Sequence, residues 1–338
     1  MKHLTLNNRI VLPPMALDIA TEKGQVTHGL IEHYCRRTKG LGLIIVEHAY
    51  VSPEGKAHPN QLGIYDDNLI PGLSRLAAAI HQKGIPVGIQ ISHAGARAIQ
   101  SSCAPSNIQS RYLKRYGESR NGRSKMACAK RIKQEDIPKM IHAFARAALR
   151  GKKAGFDFVE IHGAHGYLLN QFYSPLTNIR HDDYGGSLER RLRFPIEVVK
   201  AVRDAVGEEM PIFYRLGADD RLPYGTTLDD SIKAAAMLAE AGVDCLDLSG
   251  GICGYLKEGE EGFFSYLGKA IKPVVDIPVM VTGGIKTAEK ANEIVAQKFA
   301  DLVGVGRTML KDPNWAYKEY VKLKQGNVYY ERAKENNL

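Results

Sequence analysis

The feature that most limits what this chain can fold into is a series of eight short apolar runs separated by longer amphipathic stretches. The runs occupy residues 9–12, 43–47, 87–91, 156–161, 212–216, 243–248, 279–282 and 302–305. They are nearly continuous in apolar residues, as in Gly42-Leu-Ile-Ile-Val46, where a strand with one wet face would alternate. Strands of this kind are buried on both faces and belong to parallel sheets. Between them, residues 69–83, 137–154, 188–205, 228–241 and 287–297 carry apolar residues at the three-to-four spacing of a helix. Gly84, Gly155 and Gly242 follow three of these stretches, where a left-handed residue can close a helix.

Eight strands alternating with helices over about 300 residues is the count of a (β/α)8 barrel. The rival is a doubly wound open sheet with a dinucleotide site, which needs a glycine-rich turn after its first strand. Here the first run is followed by Pro13-Pro14-Met15. The expectation is therefore one barrel domain over residues 1–338, with a basic variable loop at about 100–134 and a tail at about 325–338.

Charge and cysteine content exclude several function classes. The formal net charge is +9, but residues 111–133 hold nine Lys or Arg against the single acid Glu118, so one segment carries +8 of it. A polyanion-binding surface would spread that charge, whereas one basic loop on a neutral body points to a local task and not to nucleic acid. The five cysteines are scattered with no Cys-x-x-Cys pair, which argues against a disulfide framework, a zinc ribbon or an iron-sulfur cluster. No signal-peptide core opens the chain and no apolar run nears the roughly 20 residues of a membrane span. A cytoplasmic enzyme without a membrane partner is expected.

In a barrel, chemistry gathers at the carboxyl ends of the strands. After the seventh and eighth runs stand Thr282-Gly283-Gly284 and Gly304-Val305-Gly306-Arg307. Small residues there let backbone N–H groups converge on a phosphate, with Arg307 as counter-ion; the alternative is a pair of ordinary tight turns. Gln90 on the third run, Arg215 on the fifth and Ser249-Gly250-Gly251 after the sixth offer an amide, a guanidinium and a hydroxyl to one mouth, suited to the edge of a planar heterocycle. Arg215 lies in an apolar run and needs an anionic partner, either a structural carboxylate or an electron-rich cofactor. After the fourth run comes Ile161-His162-Gly-Ala-His165-Gly-Tyr167. Two imidazoles and a phenol there admit a metal site, a structural pair or hydrogen-bond donors aimed at a substrate oxygen.

Taken together and in order, these stretches resemble the Old Yellow Enzyme family of FMN-dependent oxidoreductases. Those that carry the resemblance include Asn8-Arg-Ile-Val-Leu-Pro-Pro-Met15, Ile89-Gln-Ile-Ser-His-Ala-Gly95, Glu160-Ile-His-Gly-Ala-His-Gly-Tyr-Leu168, Ser174-Pro-Leu-Thr-Asn178, Asp182-Asp-Tyr-Gly-Gly-Ser187 and Gly304-Val-Gly-Arg307. The resemblance implies the same barrel, with Pro14, Met15 and Ala16 along the flavin, Gln90 at its pyrimidine edge and Arg215 near N1 and O2. It implies Gly283, Gly284, Gly306 and Arg307 at the phosphate, with Ser249 and Gly250 also on the cofactor side. His162 and His165 would bind the activating oxygen of an α,β-unsaturated substrate and Tyr167 would donate the proton. NADPH or NADH would reduce the flavin in a ping-pong cycle, giving an ene-reductase. The same resemblance leaves open a flavin dehydrogenase or demethylase, or a reductase like the barrel half of 2,4-dienoyl-CoA reductase. A non-redox aldolase or isomerase is disfavoured because no strand-end lysine is placed as a nucleophile.

Three departures from the family stand out. Ala16 and Asp18 occupy positions where short thermophilic-like members usually carry a cysteine and a tyrosine, so Asp18 takes the substrate-side position without the phenol. His48 follows the second run where a small residue is usual, either touching flavin or substrate or packing in the loop. The basic segment 111–133 is either a solvated lid or an attractor for an anionic substrate or the extra phosphate of NADPH. Near the end, Tyr329-Tyr-Glu-Arg332 resembles the tail that sends an arginine into a neighbouring subunit's site, which implies a homodimer or homotetramer with Arg332 at the substrate.

Overall fold

The computed structural model describes residues 4–100, 102–107, 129–255 and 259–325. Eight strands, β1 (Ile10–Leu12), β2 (Leu43–Tyr50), β3 (Val87–Ser92), β4 (Phe158–Gly163), β5 (Ile212–Asp219), β6 (Cys245–Gly250), β7 (Val279–Thr282) and β8 (Leu302–Gly304), close into a barrel with each strand parallel to its neighbours in chain order. Helices α1 (His28–Cys35), α2 (Ile70–His81), α3 (Ile137–Lys153), α4 (Leu168–Tyr173), α5 (Leu188–Val206), α6 (Leu228–Glu240), α7 (Ser265–Ile271), α8 (Ala288–Ala296), α9 (Arg307–Lys311) and α10 (Trp315–Gln325) lie between and after the strands. The fold is thus the (β/α)8 barrel. Gly84, Gly155 and Gly242 have φ of +75°, +87° and +108°, the left-handed closures read from the sequence.

Alternation along each strand sorts its side chains into two cores. Outward residues such as Ile44, Val46, Ile89, Val159, Leu246 and Val303 pack with the helices in one large cluster. Inward residues Val11, Leu43, Ile45, Phe158, Phe213, Cys245, Met280 and Leu302 form a separate plug inside the barrel, with Leu4 and Leu6 packed against it. β3 contributes only Gly88 at this level: the Phe158 ring fills the place of its side chain, and a Cβ there would lie 2.3 Å from that ring. Both faces of every strand are therefore buried, which is why the runs read as continuously apolar.

Strand starts are set by one repeated device. Asp157, Asp244 and Asp301 stand just before β4, β6 and β8, and each accepts a hydrogen bond from the first N–H of the preceding strand, at 2.7 Å from Val87, 2.8 Å from Ile212 and 2.8 Å from Val279. Runs four and six begin at Phe156 and Val243 in the sequence, but pairing begins only after these aspartates. Strands β2, β5 and β6 run further than the apolar pattern, so His48, Ser249 and Gly250 lie on strands and not in the loops beyond them, while Arg215 lies within β5 as its run implied. His162 likewise belongs to β4. Helices α1, α4, α7, α9 and α10 fall outside the five amphipathic stretches read above. α4 is six residues and wholly buried, so no polar face marks its period. Among the described residues no helix is long and apolar enough to cross a membrane.

Candidate active site

Directly above the apolar plug the same inward positions turn polar. Gln90, Glu160, Arg215, Asp247 and Thr282 each stand two residues beyond an inward member of the plug or beyond Gly88, so they form the next layer. Gln90 Nε2 donates to Glu160 Oε1 at 2.7 Å. Thr282 Oγ1 donates to Asp247 Oδ1 at 3.2 Å. Arg215 Nε lies 3.1 Å from Asp247 Oδ2, so the anionic partner this arginine needs includes a structural carboxylate. Glu160 and Asp247 are both fully buried. Burial raises both pKa values, Asp247 pushes Glu160 further, and Arg215 opposes the rise in each. With one guanidinium and two sealed carboxylates, burial and the charge of Asp247 favour a protonated Glu160 over two full negative charges. Neither acid was singled out in the sequence for this role, although Glu160 sits two residues before His162 on the same face.

One layer higher is the mouth. The rings of His162 and His165 are 5.2 Å apart, and the Tyr167 ring is 4.9 Å from His162. His48 joins them at 5.2 Å from Tyr167 and 6.1 Å from His162. The turn that delivers His165 needs a left-handed residue, φ +58°. It is held by Arg97, whose Nη1 donates to the His165 carbonyl at 2.7 Å and whose Cζ lies 5.6 Å from the Tyr167 ring centre. His165 Nε2 pairs with Ser249 Oγ at 2.7 Å, which ties Ser249 to the histidine side of the mouth. His162 Nδ1 is buried with no partner. Burial first, then the neighbouring histidines and arginines, drives the pKa of His162 well down. Burial, then Arg215 and Arg97, does the same for His165. Burial pushes the Tyr167 phenol up to about 12. At neutral pH the mouth thus presents two neutral imidazoles and a protonated phenol. Among the described residues no group of three or more His, Cys, Asp or Glu is arranged to hold a metal ion.

The remaining sequence candidates line the rim. Leu17 N–H, just past Pro14, Met15 and Ala16, donates to Glu47 Oε2 at 2.7 Å, and Glu47 N–H donates to the Tyr34 hydroxyl at 2.8 Å. The loop after β1 is therefore pinned to β2 by a buried carboxylate whose pKa burial lifts to about 7. Asp18, at φ +58°, accepts from Asn60 N–H at 2.7 Å. Gly306 is pressed against Met15, with an added Cβ 2.7 Å from its Sδ, and Gly284 (φ +64°) has Phe263 2.5 Å away. Gly250 is confined by the Gly254 carbonyl, 2.1 Å from an added Cβ, and Gly283 more loosely by Phe264 at 3.1 Å. Arg307 opens α9 directly after Gly306. Arg332 and most of the basic segment, residues 108–128, lie outside the described residues. Glu47, Arg97, Glu160 and Asp247 escaped the sequence reading because their role depends on layer and neighbour, which no local motif encodes.

A barrel with glycine-lined ends on β7 and β8, an amide and a guanidinium in the layer below the mouth, and a donor-rich rim fits the flavin oxidoreductase class. Comparison with known proteins agrees. The model of the NADH:flavin oxidoreductase / NADH oxidase family matches residues 1–326. An NADH oxidase of Thermoanaerobacter brockii is 41% identical over 330 residues, covering 94% of this chain and 49% of that protein. An NADPH dehydrogenase of Geobacillus sp. (strain WCH70) is 37% identical over 341 residues, covering 98% and 96%. The Old Yellow Enzyme homologue from Zymomonas mobilis superposes with a TM-score of 0.83 at 27% identity over 95% of this chain and 90% of that one. A 2-naphthoyl-CoA reductase gives 0.85 at 26% identity, covering 94% of this chain and 50% of that one. This chain thus spans about half the length of two of the proteins it matches. It belongs to the NADH:flavin oxidoreductase / NADH oxidase family, the Old Yellow Enzyme family of FMN-dependent oxidoreductases.

The residues present fit FMN. At Gly284 and Gly306 a side chain would meet Phe263 and Met15, so the strand ends of β7 and β8 stay small, as a phosphate held by backbone N–H groups requires. In the polar layer, Arg215 Nε has no hydrogen bond of good geometry despite its carboxylate neighbour, and Gln90 keeps its amide oxygen for a further donor.

Proposed function

We propose that the protein is an NAD(P)H-dependent ene-reductase, with residues 1–338 acting as one FMN-binding unit. The observation that carries this reading is the convergence of three rings at the mouth, His162 lying 5.2 Å from His165 and 4.9 Å from Tyr167. FMN, when bound, would supply the two-electron chemistry that links NADH or NADPH to the β-carbon of an activated alkene. Pro14, Met15, Ala16, Gln90, Arg215, Gly250, Gly283, Gly284, Gly306 and Arg307 would hold it.

The chain's own residues supply the rest. Two neutral imidazole N–H donors on the substrate oxygen favour the enolate-like charge of the transition state over the neutral ground state, which makes them catalytic as well as binding groups. Neutrality matters, because a dipolar donor in a buried site needs no counter-ion. Ser249 holds His165 from behind, and Arg97 holds the backbone that carries it. Tyr167, protonated at neutral pH, delivers the proton to the α-carbon. The cation of Arg97 beside its ring lowers the cost of the phenolate left behind. Arg332 would reach the site of a neighbouring subunit in a homo-oligomer, and the basic segment 111–133 would gather an anionic substrate.

The test uses the yellow holoenzyme under anaerobic conditions. NADPH or NADH should bleach its flavin absorbance, and an enone, a nitroalkene or an enoyl-CoA should restore it. Failure of both nicotinamides to bleach the flavin sinks the reading. A second reading, a reductase of CoA thioesters, is favoured by the similarity to 2-naphthoyl-CoA reductase, half of whose length this chain covers. Reoxidation by an enoyl-CoA much faster than by any simple enone would select it.

A further inference from the structure

The donors around Tyr167 outnumber what one carbonyl oxygen can use. The tautomer of His48 is set by a chain of contacts. Ala57 N–H donates to Gln61 Oε1 at 2.6 Å, which identifies that atom as oxygen. The Gln61 amide nitrogen then meets the His48 carbonyl at 3.0 Å and His48 Nδ1 at 2.7 Å. An N–H must meet a lone pair, so Nδ1 carries no proton. Burial keeps the ring neutral, with its pKa down to about 3, and its proton therefore sits on Nε2. Nε2 finds no acceptor among the described residues and is not one of the sealed nitrogens such as His93 Nε2 and His162 Nδ1, which leaves it open to the mouth as a donor.

Arg97 stands against the same tyrosine. One of its five N–H groups goes to the His165 carbonyl, and no described carboxylate pairs with it. The acids around the mouth are engaged elsewhere: Asp18 with Asn60, Glu47 with Leu17, Asp247 with Arg215 and Thr282. A half-buried guanidinium among neutral donors, with no acid to answer it, is a place for an anion. The FMN phosphate is not that anion. Arg97 follows β3, which faces β7 across the closed ring of eight strands, whereas the phosphate glycines follow β7 and β8.

We propose that Arg97 and His48 Nε2–H form a carboxylate subsite beside Tyr167, so that the preferred substrates carry a carboxylate in addition to the carbonyl that activates the double bond. This rests on the ene-reductase reading and narrows its substrate class. The carbonyl oxygen goes to His162 and His165 and the carboxylate to Arg97 and His48, with the double bond between them.

The probes are (E)-4-oxopent-2-enoate and its methyl ester, which differ in that one charge. With NADPH-reduced holoenzyme the acid should exceed the ester in kcat/KM by tenfold or more. Arg97→Gln, which keeps a donor for the His165 carbonyl, should bring that ratio close to one, and Arg97→Lys should keep most of it. Arg97→Met serves as a second neutral variant should the glutamine form lose its flavin. A wild-type ratio of one or below, or a ratio unchanged in the neutral variants, overturns the subsite. A change in NADPH-over-NADH preference with the acid-to-ester ratio intact assigns the cation to the co-substrate's phosphate and overturns it too. If the NADPH-reduced enzyme reoxidises with neither probe nor with any enone, the ene-reductase reading has failed and the subsite falls with it.

Discussion

Tyr167 carries the most direct prediction at the scale of single residues. Tyr167→Phe removes the acid and leaves the ring, so reoxidation by an enone should slow tenfold or more in stopped flow while bleaching by NAD(P)H is spared. His162→Ala or His165→Ala should weaken enone binding with flavin content unchanged; loss of flavin would mean that these histidines hold the cofactor instead. Glu47 makes a prediction about pH. Its folded pKa, about 7, lies above the ordinary value of 4.5, so between those values the native state binds more protons than the unfolded one. Stability is then lost as pH rises through that window, by roughly 3 kcal/mol for the full shift. Chemical denaturation from pH 5 to 8 should show that fall, and Glu47→Gln should flatten it. His162 and Tyr167 announced themselves in the sequence by type and spacing. Glu47 did not, because its burial comes from the β1 loop folding over it.

Aspartates and glycines decide matters between elements. Asp157, Asp244 and Asp301 tie successive strand starts together, and Asp244→Ala would leave the Ile212 N–H without its partner, costing about 1–3 kcal/mol in a thermal or denaturant melt. Gly88→Ala drives a methyl into the Phe158 ring and should cost a similar amount, about 1–3 kcal/mol. Phe158→Leu in the same chain should recover part of that loss, since the conflict is between these two residues; additive losses would contradict it. The apolar period located the strands because both faces are dry. It misplaced some strand limits, since hydrophobicity ran past the aspartates at the start of β4 and β6 and ended before pairing did in β2 and β5. The short buried helix α4 carried no polar face from which a period could be read.

Across the whole molecule, the barrel separates two kinds of interior: an apolar plug that holds the strands together and, above it, polar layers that face the mouth. The net charge of +9 belongs mostly to residues 111–133. If that segment gathers an anionic substrate, raising the salt concentration should raise KM for the acid probe and not for its ester; a salt-independent KM for both would remove it from the substrate's path. The strand count, the parallel order and the family were determined by the sequence itself, because buried parallel strands and glycine-rich strand ends leave marks that are local in the chain. The sealing of Glu160 and Asp247 around Arg215, the tautomer of His48 and the placing of Arg97 over Tyr167 were decided only in the tertiary structure. Each depends on which residues from different strands share a layer, and closure of the barrel brings together side chains that lie tens of residues apart.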